Sequence, residues 1–276
     1  MALAAQLAVR LGARQAALEL SWMRRASSPV PLDQMLVRRI RGEPLQYILG
    51  DQPFGPLNLT VRPPVLIPRP ETEHWTIKLA ELLHPTPARP LSILDLGTGS
   101  GCIPLLLCHL WPAGSVRAFG VDVSSDAVKL AAENAALCDF SPFSAGGLRN
   151  TFDAIQSNFM DPRFPGHRIA PPFDVVTSNP PYIPWHEYTQ LPDSVTHYED
   201  PKALFGGPDG LDFYRAIAAL VARKDFLNSD AVVAVEVGDG QAEVVQKIFD
   251  TTAQMRTQVW LDPWKKKRTV VGRLEI

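Results

Sequence analysis

The rhythm of apolar positions changes near residue 90. Before it, Leu3, Leu7, Leu11 and Leu18 recur at helical spacing in an Ala/Leu/Arg-rich stretch, which predicts helix over residues 1–40 with one break at Ser27-Ser28-Pro29-Val30-Pro31. Residues 53–70 hold six prolines. Proline is excluded from helix interiors and central strands, so a hairpin or irregular connector is expected there, with residues 57–61 extended. Residues 72–83 return to a helical pattern, and His84-Pro85-Thr86-Pro87-Ala88-Arg89-Pro90 reads as a boundary. The chain thus divides into a small helical domain (1–52), a connector with hairpin and helix (53–84) and a larger domain (85–276).

In the larger domain, short apolar runs alternate with helical stretches. Strands are expected at 92–96, 116–121, 152–156, 173–178 and 231–237, with two closing strands near 257–261 and 269–274. Helices are expected at 101–110, 126–137, 212–220 and 241–250. This alternation predicts a doubly wound α/β fold: a mostly parallel seven-stranded sheet with helices on both faces and its ligand at the carboxyl ends of the strands. Residues 141–150 and 161–172 read as irregular insertions, and 183–210 is long enough to form a lid.

Composition narrows the function classes. The 276 residues are 46% hydrophobic and 20% charged, as in ordinary globular chains. The net charge of −2 disfavours a protein that lives by gripping phosphates. Residues 1–84 carry ten Lys/Arg and seven Asp/Glu, the remainder 17 and 22, a split too mild to name a partner. Cys102, Cys108 and Cys138 have no C-x-x-C spacing, so neither structural zinc nor a disulfide framework is expected, and no metal site. No apolar run approaches the ~20 residues a membrane span needs. Arg10, Arg14, Arg24 and Arg25 against the single acid Glu19 fit a mitochondrial transit peptide or the first helices of a folded domain.

Asp95-Leu96-Gly97-Thr98-Gly99-Ser100-Gly101 falls at a strand-to-helix turn. Glycines let the backbone turn sharply and admit a ligand where a Cβ would collide. Two details favour S-adenosylmethionine over a dinucleotide. Cys102 stands where close helix–strand packing in a dinucleotide fold wants Gly or Ala. Asp95 precedes the turn, and a carboxylate suits a sulfonium and an ammonium, whereas a pyrophosphate is an anion. Asp95, Gly97, Thr98, Gly99, Ser100 and Gly101 are therefore the expected cofactor residues. Asp122, at the next strand end, either accepts from the ribose hydroxyls or caps the following helix, a task open to Ser124 or Ser125. Asn158 and Phe159, after the third strand, either bond and sandwich an adenine or form an ordinary loop with one buried ring.

Asn179-Pro180-Pro181-Tyr182 follows the strand at 173–178, beside that site. Its residue types suit methylation of a planar nitrogen. An amide nitrogen is a poor nucleophile because its lone pair is delocalised. The Asn179 side-chain oxygen and the Pro180 carbonyl can each accept one N–H of an –NH₂ group, which orients the nitrogen and favours pyramidal geometry. The prolines stiffen the turn, and Tyr182 offers a π-face to the substrate plane or the sulfonium. Asn179 borders the cofactor as well. Adenine N6 and a glutamine amide satisfy this chemistry equally.

Several segments resemble the HemK/PrmC family of protein-(glutamine-N5) methyltransferases: Arg41-Gly42-Glu43-Pro44-Leu45-Gln46-Tyr47-Ile48-Leu49-Gly50, Leu66-Ile67-Pro68-Arg69-Pro70-Glu71-Thr72-Glu73, Leu94 to Gly101, Asn179 to Ile183, and Gly206-Gly207-Pro208-Asp209-Gly210-Leu211-Asp212. They lie in the family's order. The first two stand outside the cofactor fold and are the specific ones. The resemblance implies a Rossmann-like class I methyltransferase with a helical docking domain, acting on the glutamine of Gly-Gly-Gln in a peptide-chain release factor. It implies S-adenosylmethionine as donor and S-adenosylhomocysteine as product. Gly97 to Gly101 and Asp122 would hold the donor, Phe159 would lie against the adenine, and Asn179 to Tyr182 would hold the glutamine. Asn158 departs from the family's usual Asp. The Arg-bearing start and the insertions fit a eukaryotic mitochondrial member, otherwise a cytoplasmic one. A monomer is expected, with neither membrane nor direct nucleic-acid contact. The alternatives are an adenine-N6 methyltransferase on DNA or RNA, and a non-catalytic binder on the same fold. Arg69, Glu71 and Glu73 are either wall residues near the substrate or a cap of the helix at 72–83. Lys265-Lys266-Lys267-Arg268 reads as a solvated turn rather than an RNA contact, and His186 and His197 as bystanders.

Overall fold

A computed structural model describes residues 2–27, 29–143 and 147–274. Ser28 of the expected break and residues 144–146 of the first insertion lie outside these described residues.

The helical start contains α1 (Leu3–Leu11), α2 (Ala13–Arg25), α3 (Leu32–Ile40) and α4 (Leu45–Leu49). The expected break precedes α3, but a second one falls at Gly12, whose φ of +83° suits glycine. It resets the helical phase, so Leu7 is buried while Leu18 is largely exposed. Leu7, Ala16, Met23, Met35, Leu36, Leu45 and Ile48 close one core cluster. Buried Glu19 joins α2 to α3 through both its oxygens, which accept from Arg39 at 2.6 and 3.2 Å. The Arg41–Gly50 segment is stiffened locally. Glu43 pairs with Arg38 at 2.7 Å, Pro44 precedes α4, and Gly50 ends it left-handed at φ +89°.

A hairpin follows, β1 (Asp51–Phe54) on β2 (Leu57–Thr60), turning at Gly55. The next helix, α5 (Pro70–Leu82), starts earlier than its apolar period suggests, because proline is tolerated in the first turn. The main sheet contains β3 (Leu91–Leu96), β4 (Val116–Asp122), β5 (Thr151–Gln156), β6 (Phe173–Ser178), β7 (Leu227–Glu236), β8 (Met255–Leu261) and β9 (Lys267–Leu274), in the order β5-β4-β3-β6-β7-β9-β8. Strands β3 to β7 are parallel, and β9 lies antiparallel between β7 and β8. The expected doubly wound seven-stranded α/β sheet is the observed one.

Helices α5, α6 (Cys102–Leu110) and α7 (Ser125–Leu137) share a core cluster with the hairpin. The helices α10 (Asp212–Val221) and α11 (Ala242–Ala253) share another, which also anchors the second insertion through Phe164 and Ile169. Between β6 and α10 the lid holds two short helices, α8 (Trp185–Tyr188) and α9 (Asp193–Thr196), and a 3₁₀ turn at Pro201–Ala203. The strand order reverses between β3 and β6, so a crevice opens at their carboxyl ends. Register places Leu96 opposite both Val121 and Ser178, and Asp122 opposite Gln156. The residues just beyond those positions form one rim.

Among the described residues no helix is long and apolar enough to cross a membrane.

Candidate active site

A cavity of about 570 Å³ lies over the crevice. Gly97, Gly99, Asp122, Asn158, Phe159, Asn179 and Pro181 all line it, so the two halves of the expected site share one space.

The glycine turn divides its work. Gly97 and Gly99 have φ of +69° and +56°, line the cavity, and have open space where a Cβ would stand. Gly101 faces the other way. Its Cβ would lie 2.9 Å from the Phe152 ring, so this glycine lets α6 approach β5 and does not line the cavity. Beneath the turn sit Asp95, Thr98 and Ser100, all buried and outside the cavity lining. Asp95 accepts from the Thr177 hydroxyl at 2.7 Å through Oδ1. Its Oδ2, with Thr98 Oγ1 and Ser100 Oγ, has no hydrogen-bond partner among the described residues. Burial pushes the Asp95 carboxyl up to about 7. Asp95, Thr98, Ser100 and Gly101 do not line the cavity, and in this structure they support the glycine turn from below.

Asp122 does two structural jobs. Its Oδ2 accepts from the Gly99 N–H at 3.0 Å and its Oδ1 from the Ser124 N–H at 2.9 Å. Ser124 supplies the cap of α7. Asp122 therefore braces the glycine turn while keeping lone pairs toward the cavity, and burial raises its carboxyl above the ordinary range. Asn158 Oδ1 accepts from the Met160 N–H at 2.9 Å. The Phe159 ring is buried and tilted against Phe213, centroids 6.1 Å apart. Val123 and Met160, half-exposed on the rim, were not singled out from sequence. Each follows a strand-end residue that was, and an apolar side chain left in solvent beside a polar strand end is the signal. These residues fit S-adenosylmethionine: an open glycine cradle, the Asp122 carboxylate on the cavity wall, and apolar walls that suit a planar base.

On the reaction side, Asn179 Nδ2 donates to Thr72 Oγ1 at 3.1 Å, whose hydroxyl donates to Glu236 Oε2 at 2.6 Å. This leaves Asn179 Oδ1 as the free end of the amide. Pro180 and Tyr182 do not line the cavity. The Tyr182 side chain packs against the core cluster under α10 and α11, and burial raises its hydroxyl to about 12. Its carbonyl accepts from Gln241 at 2.9 Å. In this structure Tyr182 anchors the loop to the core. Gly206 and Gly210 belong to the same anchor, since a Cβ on either would lie 2.7 Å or less from the Pro181–Tyr182 backbone.

The lid crosses the cavity mouth. Trp185, Tyr188 and Phe205 pack together there and line it. Buried Glu199 accepts from Arg69 at 2.7 and 2.8 Å, and the Asp200 N–H donates to the Pro64 carbonyl at 2.8 Å. Arg69 therefore pins the lid to the connector, while Glu71 and Glu73 sit in the first turn of α5. His186 is exposed and reaches only Glu187. In the basic run, Lys266 and Lys267 pair with Asp239 and Glu243.

No family model matches the chain. It is 39% identical over 240 residues to the release factor glutamine methyltransferase of Geobacter sulfurreducens, covering 87% of this chain and 76% of that one. The chain belongs to the release factor glutamine methyltransferase family. A second member, from Thermodesulfovibrio yellowstonii, is 39% identical over 222 residues, 79% of this chain and 71% of that one. A methyltransferase structure from Pyrococcus furiosus superposes with a TM-score of 0.53 at 16% identity, covering 80% of this chain and 90% of that one, and shares the fold. Within this family membership, the Leu66–Glu73 segment acquires a physical meaning. Arg69 holds the lid and Thr72 holds Asn179, two contacts that reach across 130 and 107 positions of the chain.

Proposed function

We propose that this protein transfers a methyl group from S-adenosylmethionine to the side-chain amide nitrogen of the glutamine in the Gly-Gly-Gln motif of a peptide-chain release factor. The observation that carries the reading is the shared cavity: the glycine cradle and Asp122 open into the space that Asn179 faces with its free oxygen. The bound donor supplies an electrophilic methyl. The chain supplies position. Asn179 Oδ1, on the cavity wall, accepts one amide N–H, which turns the nitrogen lone pair toward the donor and holds it for in-line approach. The apolar lid wall excludes water from the transfer. The nitrogen loses its proton to solvent afterwards, so no prior general base is required. The test is mass spectrometry of a release factor incubated with the enzyme and S-adenosylmethionine. One added methyl on the Gly-Gly-Gln glutamine is expected, and an unmodified glutamine overturns the reading.

We further propose that the protein works as a monomer in mitochondria and without direct nucleic-acid contact. The irregular insertions at 141–150 and 161–172 support the location, and the acid partners of the Lys266–Lys267 turn support the absence of a phosphate-gripping patch. Because Leu7, Ala16 and Met23 are buried against α3, α1 and α2 should remain in the mature protein. Organelle fractionation with mapping of the mature N-terminus tests the location, sedimentation tests the oligomeric state, and salt-sensitive oligonucleotide binding would favour the adenine alternative.

A further inference from the structure

We infer that Thr72 and Glu236 form a positioning relay that dictates which end of the Asn179 amide faces the substrate. The inference rests on the reading of Asn179 as the acceptor that orients the glutamine. An asparagine amide has two ends of nearly equal size, one an acceptor and one a double donor. Orienting an –NH₂ group requires the oxygen end in the cavity. A flip about the last side-chain bond would present donors to donors, and nothing in the Asn-Pro-Pro-Tyr backbone prevents that flip.

The relay prevents it by fixing proton direction. Glu236 ends β7 and is buried; burial raises its carboxyl, while hydrogen bonds from Thr72 and Trp75 favour the charged form, in which it only accepts. Its Oε2 receives the Thr72 hydroxyl at 2.6 Å and the Trp75 indole N–H at 2.9 Å. Indole is a donor with no acceptor, so Trp75 confirms the polarity of the carboxylate end. Thr72 has one proton and spends it on Glu236. It therefore offers Asn179 only lone pairs, and only the Nδ2 end satisfies them, at 3.1 Å. The reversed amide would set Oδ1 against those lone pairs and leave a buried hydroxyl face unmet. The elements are held rigidly: the Thr76 hydroxyl bonds the Thr72 carbonyl at 2.7 Å, and the Tyr214 hydroxyl bonds the Glu236 carbonyl at 2.9 Å. The relay runs from the end of β7, through α5 in the connector, to the end of β6. It ties the geometry of the reaction site to the segment that precedes the catalytic domain.

The experiment measures methyl transfer from radiolabelled S-adenosylmethionine to a Gly-Gly-Gln peptide, with cofactor affinity by calorimetry. Thr72→Val keeps the shape of the side chain and removes the hydroxyl. It should lower kcat by about tenfold or more, the worth of one oriented hydrogen bond, with cofactor Kd unchanged. Thr72→Ser restores the hydroxyl and should recover most of the rate, which a packing defect would not. Glu236→Gln, whose amide oxygen the Trp75 indole holds in the place of Oε2, still accepts the Thr72 proton and should keep most of the rate, whereas Glu236→Leu removes that acceptor and should lower kcat while leaving Kd in place. Wild-type turnover in Thr72→Val while Asn179→Ala is dead, or no recovery in Thr72→Ser, overturns the relay alone. Full turnover in Asn179→Ala overturns the reading of the site and the relay with it.

Discussion

The glycines of the cofactor turn lend themselves to a sharp test, because two of them do different work. Replace Gly101 with alanine. The residue sits at φ +80°, and its new Cβ would lie 2.9 Å from Phe152 and 3.3 Å from Ala131 and Leu105. Phe152 is fully buried and cannot swing away. A left-handed alanine costs about 1–2 kcal/mol, and overpacking a filled core adds about 1–3 kcal/mol. The sum, roughly 2–5 kcal/mol, should lower Tm by about 5–15 °C in a domain of this size. Replace Gly99 instead. It carries the same backbone penalty, but nothing lies within 4 Å of its new Cβ, which enters the cavity. Gly99→Ala should lose only a few degrees and bind S-adenosylmethionine at least tenfold more weakly. Scanning fluorimetry reads the first quantity and calorimetry the second. Equal Tm losses in the two variants, or undiminished cofactor affinity in Gly99→Ala, would refute the division of the turn into cradle and packing halves.

Other outcomes follow from the same geometry. Asn179→Ala should abolish transfer in the peptide assay while cofactor affinity by calorimetry stays close to that of the parent. Asp122→Ala removes the acceptor of the Gly99 and Ser124 N–H groups and should weaken cofactor binding by about ten- to a hundredfold, since hydrogen bonds to a charged group contribute about 1.5–3 kcal/mol each. Unchanged affinity would contradict the placement. Arg69→Ala leaves the buried Glu199 carboxylate unpaired, which is worth up to roughly 3–5 kcal/mol for a wholly buried pair and less here because Arg69 is partly exposed. The lid should then show faster hydrogen exchange over residues 183–210 and a raised KM for the peptide. Asp95 titrates near 7 in the folded protein and near its ordinary value when unfolded, so the folded state binds more protons in between. Its contribution therefore erodes stability as pH rises from about 4 to 7 and is constant above. Chemical denaturation of Asp95→Asn across that range should show a stability gain over the parent that grows with pH. A gain independent of pH would contradict the raised carboxyl.

Local chemistry was legible along the chain. The central strands β3 and β6 are buried at most positions, so each reads as a short apolar run, and the glycine turn and Asn-Pro-Pro-Tyr stand at their carboxyl ends. Helical starts were less legible. Gly12 breaks a stretch whose leucines keep period across it, because periodicity reports spacing and not backbone sign. The short α4 has too few turns for a period to show.

By itself the sequence determined the order of elements, the sheet class, the glycine turn and the Asn-Pro-Pro-Tyr strand end, since all of these depend on neighbours within a few residues. Only the tertiary structure decided which turn residues face the cavity, that Tyr182 packs on the core, that Arg69 clasps Glu199, and that Thr72 bridges Glu236 and Asn179. The physical reason is strand register. The carboxyl ends of β3, β4, β6 and β7 are brought to one rim by pairings between distant segments, and partners such as Thr72 and Glu236, 164 residues apart, leave no periodic trace of each other in the chain.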